Sequence, residues 1–277
     1  MPVTAGRFIR KMRGGAQSHL IEGADGRHYV VKFVNNPQHR RILVNEWLSG
    51  VLLRYLQIHT PEIVLFEITA AFIATNPDLS IIRGSRHEKP LPGLHFGSRM
   101  AVNPDRVAIY DYLPDNLLVK VENRCDFLGA VVFDKWVANS DSRQAVFFRA
   151  RAKTWTPLKG EVPQRTGFFA QMIDHGLAFN GPHWAFPDSP VQGVYFRSNV
   201  YEEVESLDSF QPWLDMVKHF PIEVIDQAWK EIPSSWLEDD EQELEKLLEQ
   251  LLRRRAVVER LILDIKTHRP AMFPNWA

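Results

Sequence analysis

The first 35 residues alternate apolar and polar positions in the way that short β-strands do. A mixed run spans residues 6–13, and two shorter runs follow at 19–22 and 28–33. Asp25-Gly26 lies between the two shorter runs, and both residues tolerate the positive φ angles of a tight turn. The pattern therefore predicts one strand followed by a β-hairpin.

The hydrophobic period becomes helical over residues 38–56, which predicts an amphipathic helix. Proline disfavours helical geometry in the residue before it, so Thr60-Pro61 should end this helix. Residues 62–74 are rich in Ile, Val and Phe and predict one or two strands. Residues 75–104 are rich in Pro, Gly, Arg and His, and we expect a long irregular connection.

From about residue 105 the pattern is mainly helical, with irregular pieces between helices. Residues 125–138 predict a buried helix, 144–151 and 167–174 predict strands, and 180–200 are typical of loops.

The C-terminus predicts one long helix. Its apolar face runs from Leu244 to Ile265, and Asp239, Asp240 and Glu241 lie at its start, where the helix dipole favours negative charge. A strand-rich first part and a helix-rich second part predict a bilobal α+β fold. We expect an N-terminal lobe over 1–104, a C-terminal lobe over 105–277, and a cleft between them.

The composition argues against several classes of protein. Hydrophobic residues make up 45% of the chain, which is ordinary for a globular protein, and 33 Lys and Arg nearly balance 34 Asp and Glu. The absence of a basic excess argues against a protein that coats nucleic acid. The single cysteine excludes an intrachain disulfide. No stretch resembles a membrane span or a signal peptide, so we expect a cytoplasmic protein.

Two charged residues could form an ion pair at the sheet surface. Lys32 ends the strand HYVVKF, and Glu46 follows fourteen residues later on the next predicted helix. Each alone is typical of a solvated surface position. Together, their spacing allows the glutamate to fix a lysine that contacts phosphate oxygens.

Three further signals are weak when each is taken alone. Gly14-Gly15 lies between the first two strands, where glycines permit a close backbone approach to a ligand but also form ordinary turns. Asp141 follows the predicted buried helix, and Asp174 ends a predicted strand, two residues before Gly176. Such aspartates are common in turns, and they also present carboxylates beside phosphates.

The order of these signals resembles that of a protein-kinase-like fold, and the chain resembles the HipA-like kinases, relatives of the protein and phosphatidylinositol kinases. The resemblance rests on the segments HYVVKF, LVNEWLSGVLLRYL, WVANSD and MIDHG. It covers roughly residues 6–180 and extends to the helical tail.

This resemblance implies a role for each matching residue. Lys32 would contact nucleotide phosphates, and Glu46 would orient it. Asp141 would accept the proton of the substrate hydroxyl, and Asn139 would brace its loop. Asp174 would bind the Mg²⁺ that bridges the phosphates.

The glycine-rich turn departs from the usual kinase pattern, although Gly14, Gly15 and Ser18 would lie over the phosphates. The position five residues after Asp141, where such loops place a metal-binding Asn, is Val146. The family's usual histidine two residues after the aspartate is Arg143 here. Gln144 is the nearest oxygen donor that could bind the second metal.

The resemblance implies an ATP- and Mg²⁺-dependent kinase that phosphorylates a Ser or Thr hydroxyl of a protein. The departures leave a second hypothesis open, a catalytically impaired pseudokinase that binds nucleotide or a regulatory protein partner. The sequence names no protein substrate.

Two basic segments remain ambiguous. Residues 83–99 could bind substrate or phosphate, or form a solvated loop. Arg253, Arg254 and Arg255 could contact an acidic partner, or form a charged helix face balanced by nearby glutamates. The histidines show no metal-binding spacing, and we expect no structural zinc site.

Overall fold

A closed barrel of short strands forms the N-terminal part of the chain. The computed structural model describes residues 1–151 and 166–277. The described strands are β1 Val3–Lys11, β2 His19–Gly23, β3 His28–Lys32, β4 Ile63–Ile68, β5 Ile81–Arg83, β6 Arg86–Glu88, β7 Gly93–Arg99, β8 Ile109–Tyr110, β9 Gln144–Arg151 and β10 Thr166–Ile173. The barrel order is β1-β2-β3-β7-β4, and a parallel pairing of β4 with β1 closes it.

Helices dominate the second part. The described α-helices are α1 Arg41–Tyr55, α2 Ala70–Thr75, α3 Asp115–Leu118, α4 Asp126–Trp136, α5 Trp213–Lys218, α6 Ile222–Lys230, α7 Ser234–Leu237, α8 Glu241–Arg254 and α9 Val258–His268. A three-stranded antiparallel sheet, β10-β9-β8, lies among them. No helix within residues 1–151 and 166–277 combines the length and the apolar character that a membrane crossing requires.

The main hydrophobic core joins the two parts. Every residue of α4 is buried, and Phe133 and Trp136 contribute its largest side chains. Leu48 and Leu52 of α1 belong to the same core as Leu251 of α8. Because α1 follows the barrel strands in the chain and packs into this core, it carries Glu46 to the junction of the two parts.

The prediction of strands over 62–74 is only half right. β4 ends at Ile68, and α2 begins directly after it. Thr69 starts this helix, because its side chain accepts a hydrogen bond from the Phe72 N–H at 3.1 Å. The alanines that follow favour a helix more than a strand.

The prediction of an irregular connection over 75–104 is wrong. This segment contains the hairpin β5–β6 and the strand β7, which pairs with β3 on one side and β4 on the other. Glycines in β7 hide its strand character in the sequence. Gly97 packs closely there, because a Cβ at this position would lie 3.0 Å from Val64 and 3.1 Å from Phe66 and would push both side chains aside.

Two further predictions for the C-terminal part need correction. The final helix is not continuous, since a 3₁₀ turn at Arg255–Val257 separates α8 from α9. Leu251 and Val258 are seven residues apart, a spacing that a continuous helix shares, so the pattern does not reveal the break. The segment from 105 to 125 is mostly irregular and contains only the short α3 and β8.

The α+β class, strand-rich first and helical second, is confirmed. The hairpin, α1, α4, β9 and β10 lie within a few residues of their predicted bounds. The lobe boundary at residue 104 remains a prediction.

Candidate active site

Lys32, Glu46 and Asp174 come from three separate elements and meet at one point. Lys32 is the last residue of β3, Glu46 lies in α1, and Asp174 follows β10. The Lys32 ammonium forms an ion pair with Glu46 Oε1 and lies 2.7 Å from Asp174 Oδ1. The ion pair expected from the spacing of Lys32 and Glu46 is therefore present.

The three side chains differ in their access to solvent. The side chains of Lys32 and Glu46 are 7% and 4% exposed, whereas that of Asp174 is 41% exposed. Asp174 also has a φ of 58°, in the left-handed region. The carboxylate for which the resemblance implies a metal role is thus the one of the three side chains that is most open to solvent.

The ion pairs shift the pKa values of these groups. Burial opposes the charge on Lys32, but Glu46 and Asp174 together outweigh it and raise the lysine pKa. The nearby Lys32 lowers the pKa of Asp174. Lys32 is therefore charged and Asp174 ionised at neutral pH, as phosphate and metal binding require.

Asn45, which the sequence analysis missed, locks α1 against the segment after Asp174. Its buried amide donates to the backbone carbonyls of Gly176, Ala178 and Gly181 at 2.8–3.0 Å. Its carbonyl accepts from Trp184 Nε1 at 2.8 Å. Backbone N–H of His175 also donates to Glu46 Oε1, at 3.1 Å. The available signal was an asparagine in the most apolar part of α1, between Leu43-Val44 and Trp47-Leu48, where only Glu46 is also polar.

Asp141 lies in a loop that is fixed by its own neighbours. Its N–H donates to Asn139 Oδ1 at 3.2 Å, and its Oδ1 accepts from the Ser142 N–H at 2.8 Å. The Asn139 amide donates to Asp134 Oδ1 at 3.0 Å. Asn139 thus connects the loop to α4, consistent with the bracing role that the resemblance implies.

Arg143 connects this loop to the Asp174 segment. Its guanidinium is fully buried and forms a bidentate pair with Asp134 of α4. It also donates to the Ile173 carbonyl at 3.1 Å and contacts His175 Nδ1 at 2.8 Å. The loop and the end of β10 therefore share one buried hydrogen-bond network.

Gln144 lies closer to Asp174 than Val146 does along the sheet. In the β9–β10 register, Gln144 pairs with Ile173, the residue directly before Asp174, whereas Val146 pairs with Gln171. The Gln144 amide also lies 3.3 Å from Asp141 Oδ2. Gln144 is thus placed between the two aspartates.

The glycine-rich turn forms a separate group. The Met12 N–H bonds to the Ser18 carbonyl at 2.8 Å and closes the turn, and Gly14 has a φ of 118°. A Cβ on Gly15 would lie 2.8 Å from the Gln38 amide. Within the described residues, no hydrogen bond links Gly14, Gly15 or Ser18 to the Lys32 group.

The donors present fit a magnesium–nucleotide complex better than a metal cage made by protein alone. Among residues 1–151 and 166–277, no three His, Cys, Asp or Glu side chains cluster closely enough to hold a metal. Mg²⁺ is commonly held by one or two carboxylates together with substrate phosphates. Asp174, with its exposed carboxylate, and the adjacent Gln144 amide suit that arrangement.

The fold and this grouping of lysine, glutamate and aspartates define a protein-kinase-like protein. The sequence matches the model of the HipA-like kinase family over residues 6–263, and the chain belongs to that family. Two solved structures share the fold, one described as the Golgi casein kinase with Mn/ADP bound and one as the Golgi casein kinase. Each has a TM-score of 0.51 and 13% identity, over 96% of this chain and 74% of the other.

The comparison with curated proteins found no significant match. Membership of the HipA-like kinase family supports phosphoryl transfer as the reaction class, and the family implies use of ATP and a divalent metal.

Proposed function

We propose that the protein is an ATP- and Mg²⁺-dependent kinase that phosphorylates a Ser or Thr hydroxyl of a protein in the cytoplasm. The observation that carries this proposal is the meeting of Lys32 with both Glu46 and Asp174, beside the Asp141 loop. Phosphoryl transfer depends mainly on positioning and on neutralising charge, and these groups supply both.

Each residue of the candidate site has its own role in binding the nucleotide and the metal. Lys32 contacts the nucleotide phosphates, and Glu46 holds the lysine in place. Asp174 and Gln144 would hold the metal, whose positive charge would neutralise the charge that develops on the phosphate oxygens. The turn with Gly14, Gly15 and Ser18 covers the phosphates.

Asp141 is the proton acceptor for the substrate hydroxyl. The substrate hydroxyl oxygen attacks the γ-phosphorus, the bond to the β-phosphate oxygen breaks, and ADP leaves. Asp141 accepts the hydroxyl proton, and Asn139 and Arg143 keep its loop in position.

A pseudokinase that regulates a protein partner is the second candidate. It is favoured by Val146, which provides no metal ligand five residues after Asp141. The kinase and a nucleotide-binding pseudokinase both bind nucleotide, but only the kinase transfers phosphate, and a pseudokinase that binds only a protein partner does neither.

Ligand binding and transfer are therefore measured separately. ATP with Mg²⁺ should raise the melting temperature, because binding to the native state at about 100 times Kd adds about 2.7 kcal/mol of stability. Asp174→Ala should abolish the Mg²⁺-dependent part. Absence of any shift for the unmodified protein would exclude the kinase and the nucleotide-binding pseudokinase.

Transfer is measured with γ-labelled ATP and a cell lysate. Asp141→Asn should retain nucleotide binding and lose labelling of lysate proteins, because it removes only the proton acceptor. Asp226→Asn, an exposed position on α6, is the matched control and should label normally. Nucleotide binding without labelling by the unmodified protein would support the pseudokinase.

A further inference from the structure

The turn between β1 and β2 lies at the same end of the barrel as Lys32. Lys11 pairs with His19 across this turn, and His19 pairs with Val31, the residue directly before Lys32. The glycine-rich turn, residues 12–18, is therefore a neighbour of the lysine to which the proposed function assigns the nucleotide phosphates. Its conformation decides how closely its backbone can approach them.

Gln17 connects the glycine-rich turn to the β5–β6 hairpin through two hydrogen bonds. Its side-chain amide donates to the Ile82 carbonyl at 2.7 Å, and its side-chain oxygen accepts from the Ile82 N–H at 2.6 Å. One side chain thus pairs with both backbone polar groups of a residue 65 positions away. The Lys11 ammonium adds a second link, because it donates to Ser80 Oγ, just before the hairpin, at 2.8 Å.

The hairpin is attached in turn to the segment that follows β3. The Arg83 guanidinium donates to the Asn35 carbonyl at 3.3 Å, and the Asn35 amide donates to the Lys89 carbonyl at 3.0 Å. The amide of the buried Asn36 donates to the Ala16 carbonyl of the glycine-rich turn at 3.3 Å. The turn, this segment and the hairpin therefore brace one another, although β5 and β6 form a sheet of their own outside the barrel.

The backbone of Gln17 also depends on these contacts. Its φ is 46°, in the left-handed region that residues other than Gly, Asn and Asp rarely adopt. Such a conformation persists only where the surrounding structure determines it. The two hydrogen bonds to Ile82 provide that determination, so their loss would let the chain take another path through the turn.

We propose that Gln17 is a positioning residue that couples the glycine-rich turn to the β5–β6 hairpin and holds the turn over the nucleotide phosphates. This inference rests on the proposed nucleotide-binding function. Without the two hydrogen bonds, only a fraction of the molecules would have the turn in place, and the apparent Kd rises as that fraction falls. The effect is confined to ligands that carry phosphates, because the turn covers that part of the nucleotide.

The test compares ATP with adenosine, which has the same base and sugar but no phosphate. Competition against a fluorescent ATP analogue, in the presence of Mg²⁺, measures both affinities without depending on catalysis. Gln17→Met keeps the length of the side chain and removes both hydrogen bonds. It should weaken ATP binding by about tenfold, the factor that corresponds to a typical net hydrogen-bond contribution, and leave adenosine binding unchanged.

Gln17→Asn is the second variant, because asparagine suits the left-handed backbone and its amide is one methylene too short to reach Ile82. It should show the same selective loss for ATP. Gln57→Met is the matched control, since Gln57 is exposed, has a φ of 59° and lies outside the turn. It should change neither affinity.

Unchanged ATP affinity in a folded Gln17 variant would overturn the inference and leave the proposed function intact. An equal loss of adenosine affinity would also overturn it, because the substitution would then have disturbed the whole site rather than the cover over the phosphates. Failure of the unmodified protein to bind ATP would overturn the proposed function itself.

Discussion

At the residue scale, the register between β9 and β10 places Gln144, and not Val146, next to the candidate metal-binding aspartate Asp174. Gln144 lies opposite Ile173 and next to the Asp141 carboxylate, and Val146 lies two residues further from Asp174. In this chain, β9 begins only three residues after Asp141. The position five residues after Asp141 is Val146, and it lies beyond Gln144, the part of β9 that is nearest to Asp174.

This register gives a prediction for the two positions. Gln144→Ala should raise the Mg²⁺ concentration needed for half-maximal nucleotide binding by roughly 10–100-fold, because metal-site ligands and their supports typically contribute that much. Val146→Asn should change it little. The measurement is a titration of Mg²⁺ at fixed ATP with a fluorescent nucleotide. The assignment of Gln144 as a metal ligand would be contradicted if Val146→Asn strongly raised the affinity for Mg²⁺ while Gln144→Ala left it unchanged.

The candidate site illustrates what sequence spacing reveals and what it does not. The Lys32–Glu46 pair could be predicted because both residues lie on apolar elements, a strand and a helix, that follow each other in the chain. Arg143 and Asn45 could not be assigned their contacts, because their partners lie 30 or more residues away and are chosen by tertiary packing. Asn45 reaches backbone carbonyls, which carry no residue-specific signal in a sequence.

At the element scale, α1 is held by its first residue as well as by Asn45. The Arg41 guanidinium pairs with Asp240 at 2.6 Å, donates to the Pro182 carbonyl at 2.9 Å, and lies 4.2 Å from the centre of the Trp184 ring. The side chains of Arg41 and Asp240 are only 18% and 20% exposed. These contacts fix the N-terminus of the helix that carries Glu46.

Replacing Arg41 should lower both the stability of the fold and the affinity for ATP. Arg41→Ala should lower the free energy of unfolding by about 1–2 kcal/mol, since it removes partly buried, charge-assisted hydrogen bonds. It should also weaken ATP binding, because α1 positions Glu46 against Lys32. Urea denaturation and nucleotide titration measure the two effects.

Arg253→Ala is the control for this prediction. Its side chain is 77% exposed and pairs with Glu249 within the same helix, an interaction worth only about 0.3–0.5 kcal/mol. Equal losses of stability in the two variants would contradict the anchoring role of Arg41.

Long apolar elements were easier to predict than those set by capping or pairing. α1 and α4 are long, mostly apolar and buried on nearly all sides, so their length and composition indicate core helices. α2 depends on the Thr69 cap, and β7 depends on pairing with two strands that are distant in sequence. Both are decided by contacts that a local pattern does not contain.

At the scale of the whole molecule, buried histidines couple stability to pH. The His95 Nδ1 accepts the Val34 N–H at 2.9 Å, and its Nε2 lies 2.9 Å from the Leu91 carbonyl. His175 Nδ1 faces the Arg143 guanidinium at 2.8 Å. Both arrangements need a neutral imidazole, because a second ring proton would point at a donor.

Burial therefore lowers the pKa of these groups. It lowers the pKa of His19 and of His95 to about 4, and that of His175 well below its ordinary value. In the unfolded chain, each histidine has a pKa near 6.5. Between these values the unfolded state binds more protons than the native state, so acidification favours unfolding.

The free energy of unfolding should consequently fall as the pH drops from about 6.5 towards 4, by up to about 1.4 kcal/mol per pH unit for each histidine. Burial raises the pKa of Glu46, which acts in the opposite direction for one group. Urea denaturation at several pH values between 7.5 and 4.5 measures the slope. His95→Gln should make the slope shallower, whereas His219→Gln, at an exposed position, should leave it unchanged. A stability that stays constant down to about pH 5 would show that the histidines do not titrate as their burial requires.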